Sequence, residues 1–231
     1  MKKTVCFYTL FLVQQIFAND IFYWKINTKE KIIFLTFDDG PGVYTSKVLE
    51  ILDKYKIKAT FFVLGEMVKI YPDKLKDIFN KGHTIASHTY SHVNFYSLQK
   101  TRNLLECKNI LIEELQKTEK EIRNVLGDYK VTLCRIPYGY YRRWMDEIFK
   151  NYNYKVINWT FGCDWENISE KEMVEGYINA LQEGGIYLFH DGGKNRDKTI
   201  NVLEKFIQVA ISKGYKFADI GTYLNLKNKN F

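Results

Sequence analysis

The stretch Lys31-Ile32-Ile33-Phe34-Leu35-Thr36-Phe37, followed at once by Asp38-Asp39-Gly40-Pro41-Gly42, decides how the rest of the chain is read. A short run of β-branched and aromatic residues predicts a buried strand, and the turn-forming cluster after it ends that strand. Residues 43–55 continue with Val48, Leu49, Ile51 and Leu52 at helical spacing. The same alternation repeats outward. Strands are predicted at residues 59–64, 83–87, 131–136, 154–159, 185–189 and 216–218, and helices at 66–80, within 97–126, and at 142–151, 169–183 and 199–213. Strands followed almost every time by a helix imply parallel pairing with right-handed crossovers, an α/β fold. Polar clusters fall at the C-terminal ends of several different strands. That favours a closed or partly closed (β/α) barrel over a doubly wound sheet, which gathers its ligand at one crevice.

The totals fit one domain. Of 231 residues, 46% are hydrophobic and 26% charged, which is ordinary for a globular chain and excludes disorder. Met1-Lys2-Lys3, an apolar run over residues 5–13 and Ala18 before Asn19 read as a secretory leader at residues 1–18, leaving a domain at 19–231. That run is shorter than the roughly 20 residues a membrane span needs. A secreted or cell-wall-associated protein with no stable membrane span is therefore expected, and a monomer. Losing Lys2 and Lys3 lowers the formal charge from +7 to +5. The lysines are spread along the chain, which suits solubility or attraction to an anionic wall. No nucleic-acid-binding motif occurs, and no phosphate-cradling glycine loop follows the first strand. Beyond the leader, Cys107, Cys134 and Cys163 are odd in number and lack CxxC spacing, which excludes a zinc knuckle. Cys134 and Cys163 both fall near predicted strand ends, so a disulfide between them is the candidate pairing.

Five clusters carry chemistry. Asp38 and Asp39 are consecutive carboxylates at a strand end. One can bind a cation while its neighbour faces an activated water, and Gly40 permits a tight exit. His88 and His92 in HTYSH read as an i, i+4 pair on one helical turn, able to clamp a divalent ion. His83, beside Gly82, reads as structural. In RIPYG, an inward Arg135 can fix a carboxylate, and the peptide N–H of Tyr138, unlike that of Pro137, can meet an oxyanion. Trp159 and Asp164-Trp165 can wall a sugar pocket, although either tryptophan fits a core equally well. IYLFH ends in His190, a residue suited to general acid work.

Together, and in this order from residue 31 to 218, the clusters resemble the motif set of the polysaccharide deacetylases, the NodB-homology or carbohydrate esterase family 4 domain. The resemblance implies a distorted barrel with seven or eight strands and a hydrolase that removes N-acetyl groups from N-acetylglucosamine units of chitin or a related acetylated polysaccharide. It implies Asp38 as general base and Arg135 as the residue orienting it. Asp39, His88 and His92 would be ligands of zinc, with cobalt or another divalent ion as alternatives. Tyr138 would supply an oxyanion-hole amide, His190 the general acid, and Leu188 part of a pocket for the acetyl methyl. Chitin is slightly preferred over peptidoglycan and other N-acetylglucosamine polymers, because no wall-anchoring module is evident, and a peptidoglycan N-acetylglucosamine deacetylase is the alternative. The fourth motif departs from the pattern. The third residue after Trp159 is Gly162 where the family often has Asp, so the carboxylate that tunes the histidine is either missing or supplied by Asp164. A carbohydrate-binding member without turnover and a small-molecule amidase stay open on these residues.

Overall fold

The computed structural model describes residues 21–227, so the expected leader at residues 1–18 lies outside the described residues. The strand read first, β2 (Ile32–Asp38), sits at the centre of the fold, buried along nearly its whole length. Its pleat sends alternate side chains to two cores. Ile33, Leu35 and Phe37 join Val48, Leu49 and Leu52 of the following helix α1 (Thr45–Lys54) in the larger one. Phe34 points the other way, to a smaller cluster with Phe62, Ala86, Leu133, Ile157 and Ile186. These come one each from β3 (Thr60–Val63), β4 (Thr84–Ser87), β5 (Leu133–Cys134), β6 (Lys155–Ile157) and β7 (Ile186–His190). A strand buried on both faces reads as a continuous apolar run, which is why KIIFLTF shows no alternation. Each fully buried phenylalanine of this kind stabilises the fold by about 1.5–3 kcal/mol.

All strand pairings are parallel, in the order β1-β6-β5-β4-β3-β2-β7, where β1 is Phe22–Tyr23. A short β8 (Lys216–Phe217) pairs with the start of β2. The sheet curls into a half-barrel surrounded by helices, and its two ends approach each other. Phe161, just beyond β6, bridges Tyr187 of β7, and Lys25, just beyond β1, bridges Gly185. The expected distorted (β/α) barrel is therefore what the chain forms. Its interior is apolar through the Phe34 layer and becomes polar toward the C-terminal strand ends, where Thr36, Arg135 and Asp38 are buried.

The helical layer departs from expectation in two places. The predicted helix at residues 66–80 is two helices, α2 (Gly65–Ile70) and α3 (Pro72–Asn80). Pro72 has no N–H to continue the ladder and pushes Tyr71 to φ −125° and ψ 57°, so the chain turns there. The helix expected within 97–126 is the long α5 (Leu104–Leu126), whose start is fixed by a capping box between Asn103 and Glu106, and a separate one-turn helix α4 (Phe95–Leu98) precedes it. Then come α6 (Asp146–Asn151), α7 (Glu170–Asn179), α8 (Asp197–Ser212) and a closing α9 (Ile220–Lys227) that the sequence pattern did not reveal. No helix among the described residues is long and apolar enough to cross a membrane.

The expected Cys134–Cys163 disulfide is not formed, and Cys107, Cys134 and Cys163 are all buried. Cys134 stays in β5, whereas the chain beyond β6 crosses to β7 and carries Cys163 against α7, where its main-chain N–H donates to the Tyr177 hydroxyl. β5 and β7 lie far apart in the sheet order, so the two thiols belong to different walls.

Candidate active site and metal centre

The residues of the five clusters are carried to the C-terminal side of the sheet. The two consecutive aspartates diverge because the backbone reverses between them: β2 ends at Asp38, and Asp39 takes a left-handed φ of 68°. Asp38 is 2% exposed, and its Oδ1 accepts from Arg135 Nη1 at 2.6 Å. Arg135 is fully buried with its donors engaged. Nη1 also donates to Thr36 Oγ1 (3.0 Å), Nε to the Ile157 carbonyl (3.0 Å) and Nη2 to the Asn158 carbonyl (3.0 Å). Its guanidinium lies 4.1 Å from the Phe62 ring centroid, on top of the apolar layer. Such a fork is held in one orientation and transmits it to the carboxylate it grips. Burial raises the Asp38 carboxyl above its ordinary value, and the Arg135 guanidinium pulls in the opposite direction without cancelling it.

Asp39 turns toward the histidines. Its Oδ1 lies 3.6 Å from His88 Nε2 and 3.4 Å from His92 Nε2. The two imidazoles are not on a helical turn, as the i, i+4 spacing suggested. They flank a loop after β4 in which Thr89 and His92 both have left-handed φ, 69° and 59°. Glu114 holds that loop. From the buried face of α5, its Oε2 accepts from the main-chain N–H groups of Tyr90 (2.9 Å) and Ser91 (2.8 Å), and its Oε1 from the Ser91 hydroxyl (2.9 Å). Asp39, Thr89, His92 and Tyr138 are among the seven non-glycine residues with positive φ among the described residues, so backbone strain gathers here.

These three side chains fit a metal ion. Their ligand atoms all lie within 4.8 Å of one another, and Asp39 Oδ1 is buried with no hydrogen-bond partner. Zinc bonds of about 2.1 Å in tetrahedral geometry place ligand atoms roughly 3.4 Å apart, close to the two separations above. His88 Nδ1 is 2.7 Å from the Arg135 carbonyl, which can only accept, so the proton sits on Nδ1 and Nε2 keeps its lone pair for a cation. Burial pushes His88 down to about 3 and keeps it neutral.

On the other side, His190 ends β7 with Nε2 4.0 Å from Asp39 Oδ2. Asp164, buried in the altered fourth motif, grips this histidine twice. Its Oδ1 is 2.7 Å from Nδ1, and its Oδ2 accepts from the His190 main-chain N–H at 2.9 Å. Burial works against a charged His190, but the Asp164 carboxylate, aided by Asp38 and Asp39, outweighs it and lifts the imidazole above the ordinary histidine value. The carboxylate that Gly162 fails to provide therefore arrives two residues later. Gly162 has no room for it, since an added Cβ would lie 2.9 Å from Leu188 Cβ and 3.0 Å from the Trp165 ring.

The remaining residues line the same end. Leu188 is 2% exposed and shares its strand face with His190 and Ile186. Trp159 packs against Gly139, where an added Cβ would lie 2.8 Å from its ring, and meets Trp165 edge to face at 6.2 Å. Tyr138, with φ 60°, is exposed and sets its ring against His92 at 4.8 Å. His83 takes the structural role expected of it, buried with Nδ1 accepting from the Ala59 N–H.

Two buried acids escaped the sequence reading. Glu114 interrupts the apolar stripe of α5, between Leu111 and Leu115, and a carboxylate in such a stripe requires polar partners. Asp191 follows His190 and lies under the acidic turn. It accepts from Thr45 Oγ1, and its own N–H and that of Gly192 donate to the Asp38 carbonyl. Burial pushes its carboxyl up to about 7. A Cβ on Gly40 would lie 2.4 Å from its carboxylate oxygens, so only glycine fits against it.

Residues 25–157, more than half of the chain, match the polysaccharide deacetylase family. The chain is 32% identical over 209 residues to a peptidoglycan-N-acetylglucosamine deacetylase of Bacillus cereus, covering 89% of this chain and 93% of that one. Among solved structures, a peptidoglycan N-acetylglucosamine deacetylase superposes with a TM-score of 0.78 at 28% identity, over 87% of this chain and 91% of that chain. A protein of Bacillus anthracis described as a pseudoenzyme of carbohydrate esterase family 4 superposes with a TM-score of 0.76 at 26% identity, over 87% of this chain and 68% of that one. The motif order, the curled parallel sheet with its polar end and these matches agree: the chain belongs to the polysaccharide deacetylase family.

Proposed function

We propose that this protein is a metal-dependent N-deacetylase, secreted or held at the cell wall, that hydrolyses the acetamide of N-acetylglucosamine units in a peptidoglycan-type glycan. One observation carries the reading. Asp39, His88 and His92 bring three ligand atoms within 4.8 Å of one another, with Asp38–Arg135 adjoining them on one side and His190–Asp164 on the other. A divalent ion held by these three residues, zinc or cobalt, would act as a Lewis acid on the acetamide carbonyl and acidify the attacking water.

The chain's own groups supply the rest. Asp38 takes the proton of the attacking water, and a carboxyl raised by burial is a better proton acceptor than a free one. Arg135 grips one oxygen of Asp38 and so aims the other, which lies 3.6 Å from His88 Nε2, at the side of the proposed ion. The Tyr138 N–H donates to the oxygen that becomes negative as the carbonyl is attacked, and losing one such donor costs about 3 kcal/mol. His190 then gives a proton to the departing sugar nitrogen, the C–N bond breaks, and acetate and the free amine leave. Leu188 receives the acetyl methyl, and Trp159 with Trp165 bounds the sugar. The two contacts of Asp164 on His190 support giving it the tuning role that the altered fourth motif left open.

The similarity to peptidoglycan N-acetylglucosamine deacetylases supports a wall glycan over chitin. The test is acetate release from glycan-strand fragments and from chitin oligomers by zinc-loaded protein, with Asp38→Asn as control. Release that disappears in the variant supports the reading, and none from either substrate contradicts it.

A further inference from the structure

The loops that leave β4 and β5 carry a second group of side chains that the deacetylation chemistry does not use. Tyr96 follows His92 by four residues and Tyr140 follows Tyr138 by two. Two residues of chain reach at most about 7 Å, so Tyr140 adjoins the reacting centre. The two rings meet edge to face at 5.5 Å, and the Tyr140 hydroxyl donates to Gln99 Oε1 at 2.6 Å, which ties one loop to the other. Lys100 Nζ lies 4.0 Å over the Tyr96 ring, and Arg142 Cζ lies 3.9 Å over the Tyr140 ring.

Both cations are exposed, and no carboxylate pairs with either among the described residues. The acids of the same segments are engaged elsewhere. Glu106 accepts from the Asn103 N–H and faces Arg102, Asp146 accepts from the Tyr141 hydroxyl, and Glu147 faces Lys108. Arg142 Nη1 donates to the Tyr141 carbonyl, which fixes the guanidinium while leaving its other donors outward. A site for neutral sugar presents bare aromatic faces. Here a cation covers a face of each tyrosine, and the rings hold the charges in place instead of competing for sugar. Preorganised, unpaired charge of this kind is suited to an anion.

We propose that Tyr96, Lys100, Tyr140 and Arg142 form a subsite for a carboxylate-bearing substituent on the sugar next to the one that is deacetylated. The inference rests on the proposed deacetylation of a wall glycan and specifies its substrate as an anionic strand, not a neutral homopolymer. The carboxylate can come from the lactyl ether of a muramic acid unit or from a peptide attached to it.

Stopped-flow tryptophan fluorescence of the zinc-loaded protein, read before turnover, gives Kd for three tetrasaccharides: chitotetraose, an N-acetylglucosamine–N-acetylmuramic acid strand with free lactyl carboxylates, and the same strand bearing peptides. At least one anionic strand should bind about tenfold more tightly than chitotetraose, and whichever does so names the source of the charge. Lys100→Gln/Arg142→Gln should erase that preference while changing chitotetraose binding by less than about twofold. Lys100→Glu/Arg142→Glu should reverse it. Raising salt toward about 1 M, where screening reaches to about 3 Å, should erase it in the parent protein. Equal affinity for all three strands, or an equal loss for all three in the glutamine variant, would overturn the proposal. A binding preference without acetate release from any strand would instead count against the proposed reaction.

Discussion

Asp164→Asn probes the pairing that the sequence left in doubt. In the parent, one carboxylate oxygen faces His190 Nδ1 at 2.7 Å, and the other accepts from the His190 main-chain N–H and from Thr199 Oγ1 at 3.0 Å. An asparagine cannot satisfy both sides. With its oxygen toward Nδ1, its NH2 opposes the His190 N–H. Flipped, it donates to Nδ1 and occupies the lone pair that must be protonated for the imidazolium to form. Either way the charge is gone, and burial, which works against charged His190, is left unopposed by its main counterweight. A hydrogen bond to a charged group is worth about 1.5–3 kcal/mol, so kcat should fall roughly 10- to 150-fold. The pH profile gives the sharper readout. His190 must be protonated to act, so activity is lost as pH rises through its pKa, and Asp164 holds that pKa above the ordinary histidine value. The variant's basic limb should therefore move to lower pH, to below the free-histidine value, while the acidic limb set by Asp38 stays in place. Acetate release from N-acetylglucosamine oligomers across pH, with circular dichroism to confirm folding, measures both. An unmoved basic limb with kcat within about twofold of the parent would refute the assigned coupling.

Other perturbations give distinct outcomes. Arg135→Met leaves Asp38 buried without its partner and should cost about 3–5 kcal/mol at neutral pH. Because an unpaired buried carboxyl has a folded pKa above its unfolded one, that deficit should shrink as pH falls through the raised value, which denaturant melts at two pH values will detect. Glu114→Leu strips three donors of the loop between His88 and His92 of their acceptor and should weaken zinc binding roughly 10- to 100-fold by titration calorimetry, whereas Glu114→Gln should lose much less. Gly162→Asp, which restores the residue the family often has, should improve nothing. It crowds Leu188 and Trp165 and should lower stability by about 1–3 kcal/mol in thermal melts.

Much of this was legible in the sequence for physical reasons that can be named. β2 and β7 are buried on both faces, so they read as unbroken apolar runs, and their terminal Asp38 and His190 announce where those runs meet solvent. The parallel order followed from helices between strands. What failed to show was governed by contacts distant in sequence. β1 is two residues held by β6, too short for any period to register. The His88–His92 spacing mimics a helical turn, but the loop's shape comes from Glu114, over twenty residues away on α5. The cysteine pairing was plausible from strand ends alone and failed because the chain after β6 crosses to β7. Asp164 reaches His190 while Gly162 lets the loop press against Leu188, a packing relation with no local signature.

The central claim is that neighbouring carboxylates at one strand end divide their labour, Asp39 holding the ion and Asp38 moving the proton. Zinc content and acetate release measured together on Asp38→Asn test it most directly. The account predicts one zinc per chain, as in the parent, with the rate reduced about 10²- to 10⁴-fold. Full activity in that variant, or loss of its zinc with Asp39 untouched, would contradict it.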